Sequence, residues 1–275
     1  MDLFTIEKQK CDLCGLCVAD CPGFVVAMNW PEGFPALAQG GEERCIKCGH
    51  CVAVCPTGAF KHCTMSAEQC IEIDRGILPS AQSVEHFLKS RRSIRAYKDE
   101  LLDRGTLEKL MDIARYAPSG HNIQPLSWVV VSGRDKLKVL GDMVAEWMRA
   151  AVKENPALSS KMKLGMVADD WSIGVDVIMR GAPHVVVAHA PRLYGPLGHE
   201  GCLIALSYLE LAAYSLRIGA CWAGYFEMAA VNYQPLRHAL EIPEGNRPYG
   251  AMVLGWPKYS YSRIPLRKEP DIRWG

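Results

Sequence analysis

Two runs of cysteine near the N-terminus constrain this chain more than any other feature. The runs are CDLCGLCVADCP, from Cys11 to Pro22, and CIKCGHCVAVCP, from Cys45 to Pro56. In each run three cysteines are spaced with two residues between them, and a fourth cysteine is followed by proline. This spacing lets three thiolates surround one face of an iron–sulfur cube while the fourth reaches a second cube. We therefore expect iron–sulfur clusters in this part of the chain.

Two other uses of cysteine fit the spacing poorly. Zinc sites use pairs of cysteines separated by a spacer, and a tetrahedral ion has no use for the third and fourth cysteines of each run. A disulfide framework is typical of short secreted chains, and no cationic and then apolar signal segment precedes Cys11. Thiol-rich chemistry of this kind instead predicts a reducing, cytoplasmic environment.

The N-terminal part of the chain resembles the bacterial two-cluster ferredoxins, and we place this domain at residues 1–78. The resemblance implies two 4Fe-4S clusters with crossed ligation. One cluster would be held by Cys11, Cys14, Cys17 and Cys55, and the other by Cys45, Cys48, Cys51 and Cys21.

Charge is unevenly distributed along the chain. The formal net charge is +1, but residues 1–80 carry 6 Lys and Arg against 10 Asp and Glu, leaving 25 against 20 in the remainder. An acidic electron carrier beside a more basic domain is one interpretation of this asymmetry, and a chance fluctuation is the other. A nearly neutral chain is not expected to bind nucleic acid or an anionic membrane as its main role. Its longest apolar stretch, Gly201 to Phe226, contains Glu210 and Arg217 and so predicts a core helix, not a membrane span.

The chain after residue 78 predicts an alternation of strands and helices, preceded by a linker at Ile77–Ser83. Four short apolar runs are predicted strands: Ser127–Gly133, Pro183–Ala190, Cys221–Phe226 and Ala251–Trp256. Helices are predicted from near Ser83, over Thr106–Ala117 with Thr106 as N-cap, from about Asp135 to Val152, and over Glu200–Arg217. These elements predict an α+β, layered domain over residues 79–275, with a mixed sheet covered by helices.

Three further stretches predict local structure of other kinds. Residues 1–10 predict a short strand, and Gly23–Arg44 is rich in glycine and proline, which predicts loops and a hairpin without a long helix. Asn155–Gly174 has no clear period. Because an aperiodic segment of that length in a compact domain is more often functional than idle, we expect a lid or a partner surface there.

Polar residues that a plain core would not need are concentrated in three stretches of the second domain. These are SRRSIRAYK, Ser90 to Lys98; APSGHNIQP, Ala117 to Pro125; and GWPKYSYSRIPLRK, Gly255 to Lys268. The first supplies guanidinium groups and a hydroxyl, which match phosphate oxygens. The second supplies amides and small residues that can approach the edge of a heteroaromatic ring. Alone, the first could be a solvated basic face and the second a structural turn.

Taken together and in this order, the three stretches resemble the nitroreductase family of FMN-dependent oxidoreductases, specifically its members fused to a two-cluster ferredoxin. The pairing of RRSIR with PSGHNIQP carries the resemblance, which extends from about residue 83 to the C-terminus. It implies a homodimer with FMN at the subunit interface. By position, it implies cofactor contacts from Arg91, Arg92, Ser93 and Arg95 of one subunit, Pro118, Ser119, Gly120 and Asn122 of the other, the backbone of Ala223 and Gly224, and the phosphate-side Arg263 and Arg267.

The resemblance also implies the chemistry. Clusters pass one electron at a time and FMN collects two, so we expect two-electron reduction of a small organic acceptor such as a nitroaromatic, a quinone or an activated alkene. No nucleophile, catalytic triad or metal hydrolase motif is apparent in the sequence. His121 is either a proton donor to the substrate or a loop histidine without that role, and the second interpretation is favoured.

The electron source and the type of acceptor leave alternatives open. We expect reduced ferredoxin as the external donor, with NAD(P)H less favoured. The chain could instead be an electron-transfer adaptor for a protein partner, or a family member that modifies the flavin itself or another specialised metabolite. A deep pocket over the flavin, walled by residues 155–174, would favour the enzyme, and a flavin closed to ligands would favour the adaptor.

Overall fold

The computed structural model describes residues 2–28 and 33–275, which divide into two compact units. The first unit comprises the chain up to Pro79 together with His121–Ile123, and the second comprises Ser80–Gly120 and Gln124–Gly275. The main change of unit thus falls after Pro79, and the domain boundary proposed from the sequence lies one residue earlier. No helix among the described residues is both long and apolar enough to cross a membrane.

The first unit is built from very short elements. In chain order they are β1 Phe4–Ile6, α1 Leu16–Ala19, β2 Val26–Ala27, β3 Ala36–Leu37, α2 Gly41–Arg44, α3 His50–Ala53 and β4 Phe60–His62. Strand β1 pairs with β4 and β2 pairs with β3, both antiparallel. The strand expected within residues 1–10 is present, and the described part of Gly23–Arg44 contains a hairpin and no long helix. Residues 29–32 of that stretch, including Pro31, lie outside the described residues.

The second unit consists of a four-stranded sheet and eight α-helices among its described residues. The strands are β5 Ser127–Ser132, β6 His184–Pro191, β7 Gly219–Trp222 and β8 Asn246–Gly255. The helices are α4 Ala81–Ser90, α5 Arg104–Ala114, α6 Arg134–Glu154, α7 Pro156–Met162, α8 Leu164–Ser172, α9 Gly195–Ser215, α10 Gly224–Asn232 and α11 Gln234–Ala239.

The sheet has the strand order β5-β6-β8-β7, and every adjacent pair in it is antiparallel. The α+β layered domain predicted from the sequence is confirmed, although its sheet, predicted as mixed, is antiparallel at each adjacent pair of described strands. Strands β6 and β7 do run parallel to each other, because each is antiparallel to β8 between them. The single helix α9 connects them, as a crossover between parallel strands requires. The sequence analysis did not predict the strand inserted between them.

Both faces of the sheet are covered, and β6 shows this residue by residue. Val185 and Val187 belong to one buried cluster, to which α6, α8 and α10 contribute, whereas Val186 and Ala188 belong to a second cluster with α5 and α9. Because successive strand residues point to opposite faces, a strand buried on both sides must be apolar at every position. This explains the continuous apolar run of β6.

Two predicted boundaries are wrong by a few residues. Helix α5 begins before Thr106: Asp103 is its N-cap, and the Asp103 carboxylate accepts a hydrogen bond from the Thr106 backbone N–H at 2.9 Å. The third predicted strand ends at Trp222, because the chain turns into helix α10 at Gly224. Ala223 and Gly224 thus lie at a strand-to-helix junction instead of inside a strand.

The segment 155–174 is helical, which corrects the prediction of an aperiodic loop. It forms α7 and α8, separated by Lys163 in a left-handed conformation with φ of 56°. Leu164, Val167 and Ala168 are buried at the spacing of one helix face. The apolar spacing of α8 does not continue in phase across the left-handed Lys163, so the segment as a whole shows no single period.

Candidate functional site

The two cysteine runs have the same backbone conformation. In the first run Leu13 and Gly15 have φ of 58° and 72°, and in the second Lys47 and Gly49 have φ of 52° and 77°. Each pair flanks the second cysteine of its run and precedes a four-residue helix, α1 or α3. Left-handed residues on both sides of a cysteine curl the chain tightly. The sequence repeat is therefore also a structural repeat.

The first set of predicted ligands is brought together in the fold. Burial raises the pKa of Cys17 to about 11, and the negative charges of Cys55, Cys14 and Cys11 raise it further. Cys55, from the second run, thus lies within electrostatic range of cysteines of the first run. Neighbouring thiolates repel one another, which raises the pKa of each thiol. They therefore need a cationic partner to remain deprotonated.

The second set lines one cavity of the first unit. Cys21, Cys45, Cys48 and Cys51 all contribute to its wall, together with apolar residues such as Val26 and Phe60. Burial raises the pKa of Cys51 to about 12, and the charges of Cys48 and Cys21 add to the effect. Cys21, from the first run, thus lies with three cysteines of the second run. Cys55, from the second run, lies in the same way near cysteines of the first run.

Hydrogen-bonding groups lie near several of these sulfurs. The Val25 backbone N–H donates to Cys21 Sγ at 3.3 Å, and the Thr57 hydroxyl lies 3.7 Å from Cys55 Sγ. The His62 ring atom Nε2 lies 3.5 Å from Cys45 Sγ. Hydrogen bonds to cluster sulfurs stabilise negative charge on a bound iron–sulfur group.

The donor set fits iron–sulfur clusters better than single ions. Within the described ranges, no three His, Cys, Asp or Glu side chains converge on one metal ion. A cube takes one thiolate at each iron, so its four ligands stand further apart than those of a single ion. Two quartets of thiols, each drawn from both runs, meet that requirement.

In the second unit, the chain after α4 is tied to the end of the sheet. The Ile94 backbone N–H donates to the Ala220 carbonyl at 2.9 Å, and the Lys98 backbone N–H donates to the Trp256 carbonyl at 2.9 Å. Gly219 permits the close approach, because a Cβ there would lie 2.8 Å from Ile94 Cγ2. These two backbone hydrogen bonds hold Arg95 beside the end of β7.

A cavity of about 540 Å³ opens at this position. It brings together three residues predicted from the sequence, Arg95, Ala223 and Gly224. Its volume is within the usual range for a small-molecule or cofactor site. Gly224 has no atom within 4 Å of an added Cβ, so the strand-to-helix junction is open to a ligand.

The cavity also contains charged residues that the sequence analysis missed, namely Arg180, Arg247 and Glu227. No salt bridge involves them among the described residues. Burial raises the pKa of Glu227, and the charge of His199 opposes that rise. Glu227 lies one helical turn after Gly224, a spacing that could have identified it. Arg180 has a left-handed backbone, φ 59°, which no sequence motif signals.

Other residues of the basic stretch after α4 do not line this cavity. Arg91 forms an ion pair with Glu210, with Nη1 2.9 Å from Oε1, and the Trp222 indole N–H also donates to that carboxylate at 3.4 Å. Arg92 donates to the backbone carbonyls of Lys89 and Ser90, and Ser93 is half-buried next to it. Arg91 and Arg92 therefore have partners within the chain.

The second predicted stretch, residues 117–125, contributes elsewhere. Pro118 and Ser119 line a different cavity, of about 440 Å³, and a Cβ at Gly120 would lie 2.5 Å from Leu197 Cδ2. His121, Asn122 and Gln124 all have left-handed backbones, with φ of 51°, 54° and 48°. Such a concentration of non-glycine residues in that region is typical of functional loops.

Within the first unit, the Asn122 side chain donates hydrogen bonds to the carbonyls of Ile46 and Lys47, at 3.2 and 3.0 Å. These carbonyls lie between two of the predicted ligands, Cys45 and Cys48. His121 is exposed. Arg263 and Arg267 lie on the exposed segment that follows β8, and neither lines the cavity of Arg95.

Models of two known protein families match the two parts of this chain. The model of the nitroreductase family covers residues 88–256, and the model of the 4Fe-4S dicluster domain covers residues 10–60. An NADH dehydrogenase of Thermus thermophilus is 27% identical over 186 residues, covering 65% of this chain and 90% of the relative.

Two solved structures share the fold of the second unit. A nitroreductase with bound FMN from Desulfitobacterium hafniense has a TM-score of 0.54 at 21% identity, covering 70% of this chain and 96% of that one. A nitroreductase with bound FMN from Bacteroides fragilis has a TM-score of 0.53 at 22% identity, covering 69% and 94%.

The fold, the arginine-lined cavity and the two cysteine quartets together define an FMN-dependent oxidoreductase with an N-terminal iron–sulfur domain. Since the family model spans most of the chain, the protein belongs to the nitroreductase family, in the form fused to a ferredoxin-type domain.

Proposed function

We propose that this enzyme carries single electrons through two 4Fe-4S clusters to FMN and reduces a small organic acceptor by two electrons. The observation that carries the proposal is the cavity of Arg95, Ala223 and Gly224, in a chain that also holds two crossed cysteine quartets. The clusters are bound by Cys11, Cys14, Cys17 and Cys55, and by Cys45, Cys48, Cys51 and Cys21.

FMN, when bound, supplies the conversion of single electrons into a two-electron reduction. The chain's own residues bind and orient it. The Arg95 guanidinium places positive charge in the cavity, where it stabilises a flavin ring that gains negative charge. The backbone at Ala223 and Gly224 permits close approach to the ring, because nothing in the chain occupies the space beside Gly224.

We propose that the enzyme acts as a homodimer with each flavin between subunits. The predicted cofactor residues line two separate cavities of the second unit, one with Arg95 and one with Pro118 and Ser119. A second copy supplies the missing half of each site. Apolar side chains on the segment after β8 support this, because Leu266 is 99% exposed and Trp274 88% exposed in the single chain. Arg263 and Arg267 belong to the same segment and reach the phosphate in the dimer.

The acceptor is a small molecule, such as a nitroaromatic, a quinone or an activated alkene. The open cavity supports an enzyme over an adaptor, and Met162, from the segment expected to wall the pocket, lines it. Glu227 is the carboxyl group in that cavity suited to hold a proton, since burial raises its pKa. His121, which is exposed, is a less suitable donor.

The electron donor is reduced ferredoxin or a similar one-electron carrier in the cytoplasm. NAD(P)H delivers a hydride to a flavin directly and does not need iron–sulfur clusters. The cysteine domain therefore favours a donor that transfers one electron at a time. The name of the Thermus relative, an NADH dehydrogenase, makes NADH the competing donor.

An anaerobic titration of the FMN-loaded, cluster-loaded protein tests the proposal. Flavin absorbance is followed while reduced ferredoxin, NADH or NADPH is added, and the Cys14→Ser variant is the matched control. We expect reduced ferredoxin to bleach the flavin rapidly in the native protein and slowly in the variant. If NADH bleaches both proteins equally and ferredoxin bleaches neither, the clusters are not the electron input and the proposed path is wrong.

A further inference from the structure

His62 is a buried polar side chain at the end of β4. It is 7% exposed and lies opposite Phe4 of β1. A buried imidazole needs hydrogen-bond partners on its ring nitrogens, because an unpaired polar group in the interior is costly. Both of its nitrogens have such partners, and their identity fixes the direction of each hydrogen bond.

The partners of Nδ1 determine where the ring proton lies. The Thr64 backbone N–H donates to Nδ1 at 3.2 Å, and the Thr64 hydroxyl lies 2.7 Å from the same atom. A backbone N–H can only donate, so Nδ1 must be an acceptor without a proton of its own. A histidine whose Nδ1 accepts carries its proton on Nε2. The group that faces Nε2 therefore receives a hydrogen bond.

That group is the sulfur of Cys45, with Sγ 3.5 Å from Nε2. We propose that His62 donates a hydrogen bond to the Cys45 thiolate and thereby raises the reduction potential of the cluster bound by Cys45, Cys48, Cys51 and Cys21. The inference rests on the cluster ligation given under the proposed function. His62 is a positioning and tuning residue, since it acts on the cluster through a ligand.

The internal repeat makes this interaction specific to one cluster. His62 follows Cys55 by the same number of residues as Met28 follows Cys21, and a methionine thioether has no proton to donate. In the described part of the chain, no side chain hydrogen-bonds to Cys11, the counterpart of Cys45. The side-chain donor near the other cluster is the Thr57 hydroxyl, at 3.7 Å from Cys55 Sγ. The two clusters, alike in sequence pattern, thus differ in their donors.

The direction of the effect follows from charge. A reduced cluster carries one more negative charge than an oxidised one, and part of that charge resides on the ligand sulfurs. An N–H dipole aimed at a sulfur stabilises the reduced form more than the oxidised form and so raises the potential. The backbone N–H of Val25 acts on the same cluster through Cys21, at 3.3 Å.

The test is a redox titration of the full chain, followed by the electron paramagnetic resonance of the reduced clusters. His62→Phe keeps a planar ring and removes the donor, whereas His62→Gln keeps an N–H group. His86→Phe is the matched control, because His86 is exposed on α4 of the second unit, does not line the cavity of the second cysteine set and has no hydrogen bond to a ligand sulfur among the described residues. Iron and sulfide content is measured for each variant.

For His62→Phe we expect one of the two one-electron waves to move to lower potential by a tenfold change in equilibrium, which is about 59 mV. His62→Gln should move it less, His86→Phe should move neither wave, and Thr57→Val should move the other wave. If His62→Phe loads poorly, the smaller shift of His62→Gln carries the test. If neither wave moves in His62→Phe with full iron content, or if both waves move equally, the proposed role of His62 is wrong, but the proposed clusters are not affected. Absence of two waves in the native protein would instead overturn the proposed clusters.

Discussion

The two units of this chain are stabilised by different means. The first unit has a small buried apolar cluster, consisting of Cys17, Val26, Val52 and Phe60, and both sheets among its described residues have strands of only two or three residues. The second unit has two large apolar clusters, one on each face of a four-stranded sheet. Small domains with little core depend on metals or cross-links for stability. We therefore expect iron–sulfur clusters to stabilise the fold of the first unit, and we expect the second unit to fold without FMN.

Loss of the clusters should have the largest effect and should affect one unit only. In a Cys14→Ser, Cys48→Ser double variant, which removes one ligand from each cluster, we expect the first unit to lose its protected amides. The second unit should keep its protection and its FMN, because its core contains no cluster ligand. Hydrogen–deuterium exchange by mass spectrometry measures both units in one experiment. Protection of the first unit at the native level, with iron absent, would mean that its small core suffices and that the contrast is false.

A core substitution in the second unit should give the converse result. Leu110, on α5, is fully buried in the apolar cluster to which α9 also contributes, and Leu110→Ala should lower the free energy of unfolding of this unit by about 2–5 kcal/mol, through lost burial and a residual cavity. Iron content should not change. Val139→Ala is the control on exposed helix surface, where Val139 is 60% exposed and a change within about 0.5 kcal/mol is expected. Chemical denaturation followed by flavin release and cluster absorbance separates the two units.

Local patterns in the sequence predicted the elements of both units better than their arrangement. The cysteine spacing is a local pattern that determines a local backbone curl, so the repeat at Leu13 and Lys47 follows directly from it. The four strands of the second unit were found because buried runs are short and apolar. The insertion of β8 between β6 and β7 depends on packing between distant segments, which no local pattern encodes. Residues 155–174 were missed because a left-handed Lys163 divides two helices.

The candidate site shows the same limit. Arg95, Ala223 and Gly224 could be predicted, because each belongs to a stretch with a recognisable pattern, and they do line one cavity. Arg180 and Arg247 could not, because they reach the cavity from segments whose sequences carry no motif. The ion pair of Arg91 with Glu210 was also beyond prediction, since the partners are far apart in sequence. The cofactor contacts of all these residues stay predictions.

Two glycine substitutions test the expectation that the second unit is folded before FMN binds. Gly224 and Gly245 both have open space around an added Cβ, and neither needs a positive φ. Gly224→Ala should leave the melting temperature of the apoprotein unchanged and weaken FMN binding about tenfold, a loss of about 1.4 kcal/mol, because the methyl group stands where the flavin ring approaches. Gly245→Ala should change neither quantity. Fluorescence titration with FMN measures the affinity, and equal affinity in both variants would place the ring elsewhere.

The smallest expected effect concerns the pH dependence of the second unit. Burial raises the pKa of Glu227 above its ordinary value of 4.5, with the charge of His199 acting in the opposite direction. The folded state therefore holds this proton more tightly than the unfolded state. The contribution of Glu227 is most favourable below pH 4.5, falls as the pH rises through the window between 4.5 and the raised pKa, and is constant above it.

Glu227→Gln removes that dependence, because an amide does not titrate. Its melting temperature relative to the native protein should rise across this pH window and then level off. Melting is followed by circular dichroism in the apoprotein, so that neither FMN nor the clusters contribute to the difference. If the difference in melting temperature between Glu227→Gln and the native protein does not change with pH, water reaches the Glu227 carboxylate freely. The cavity would then retain a proton for the acceptor no better than the protein surface does.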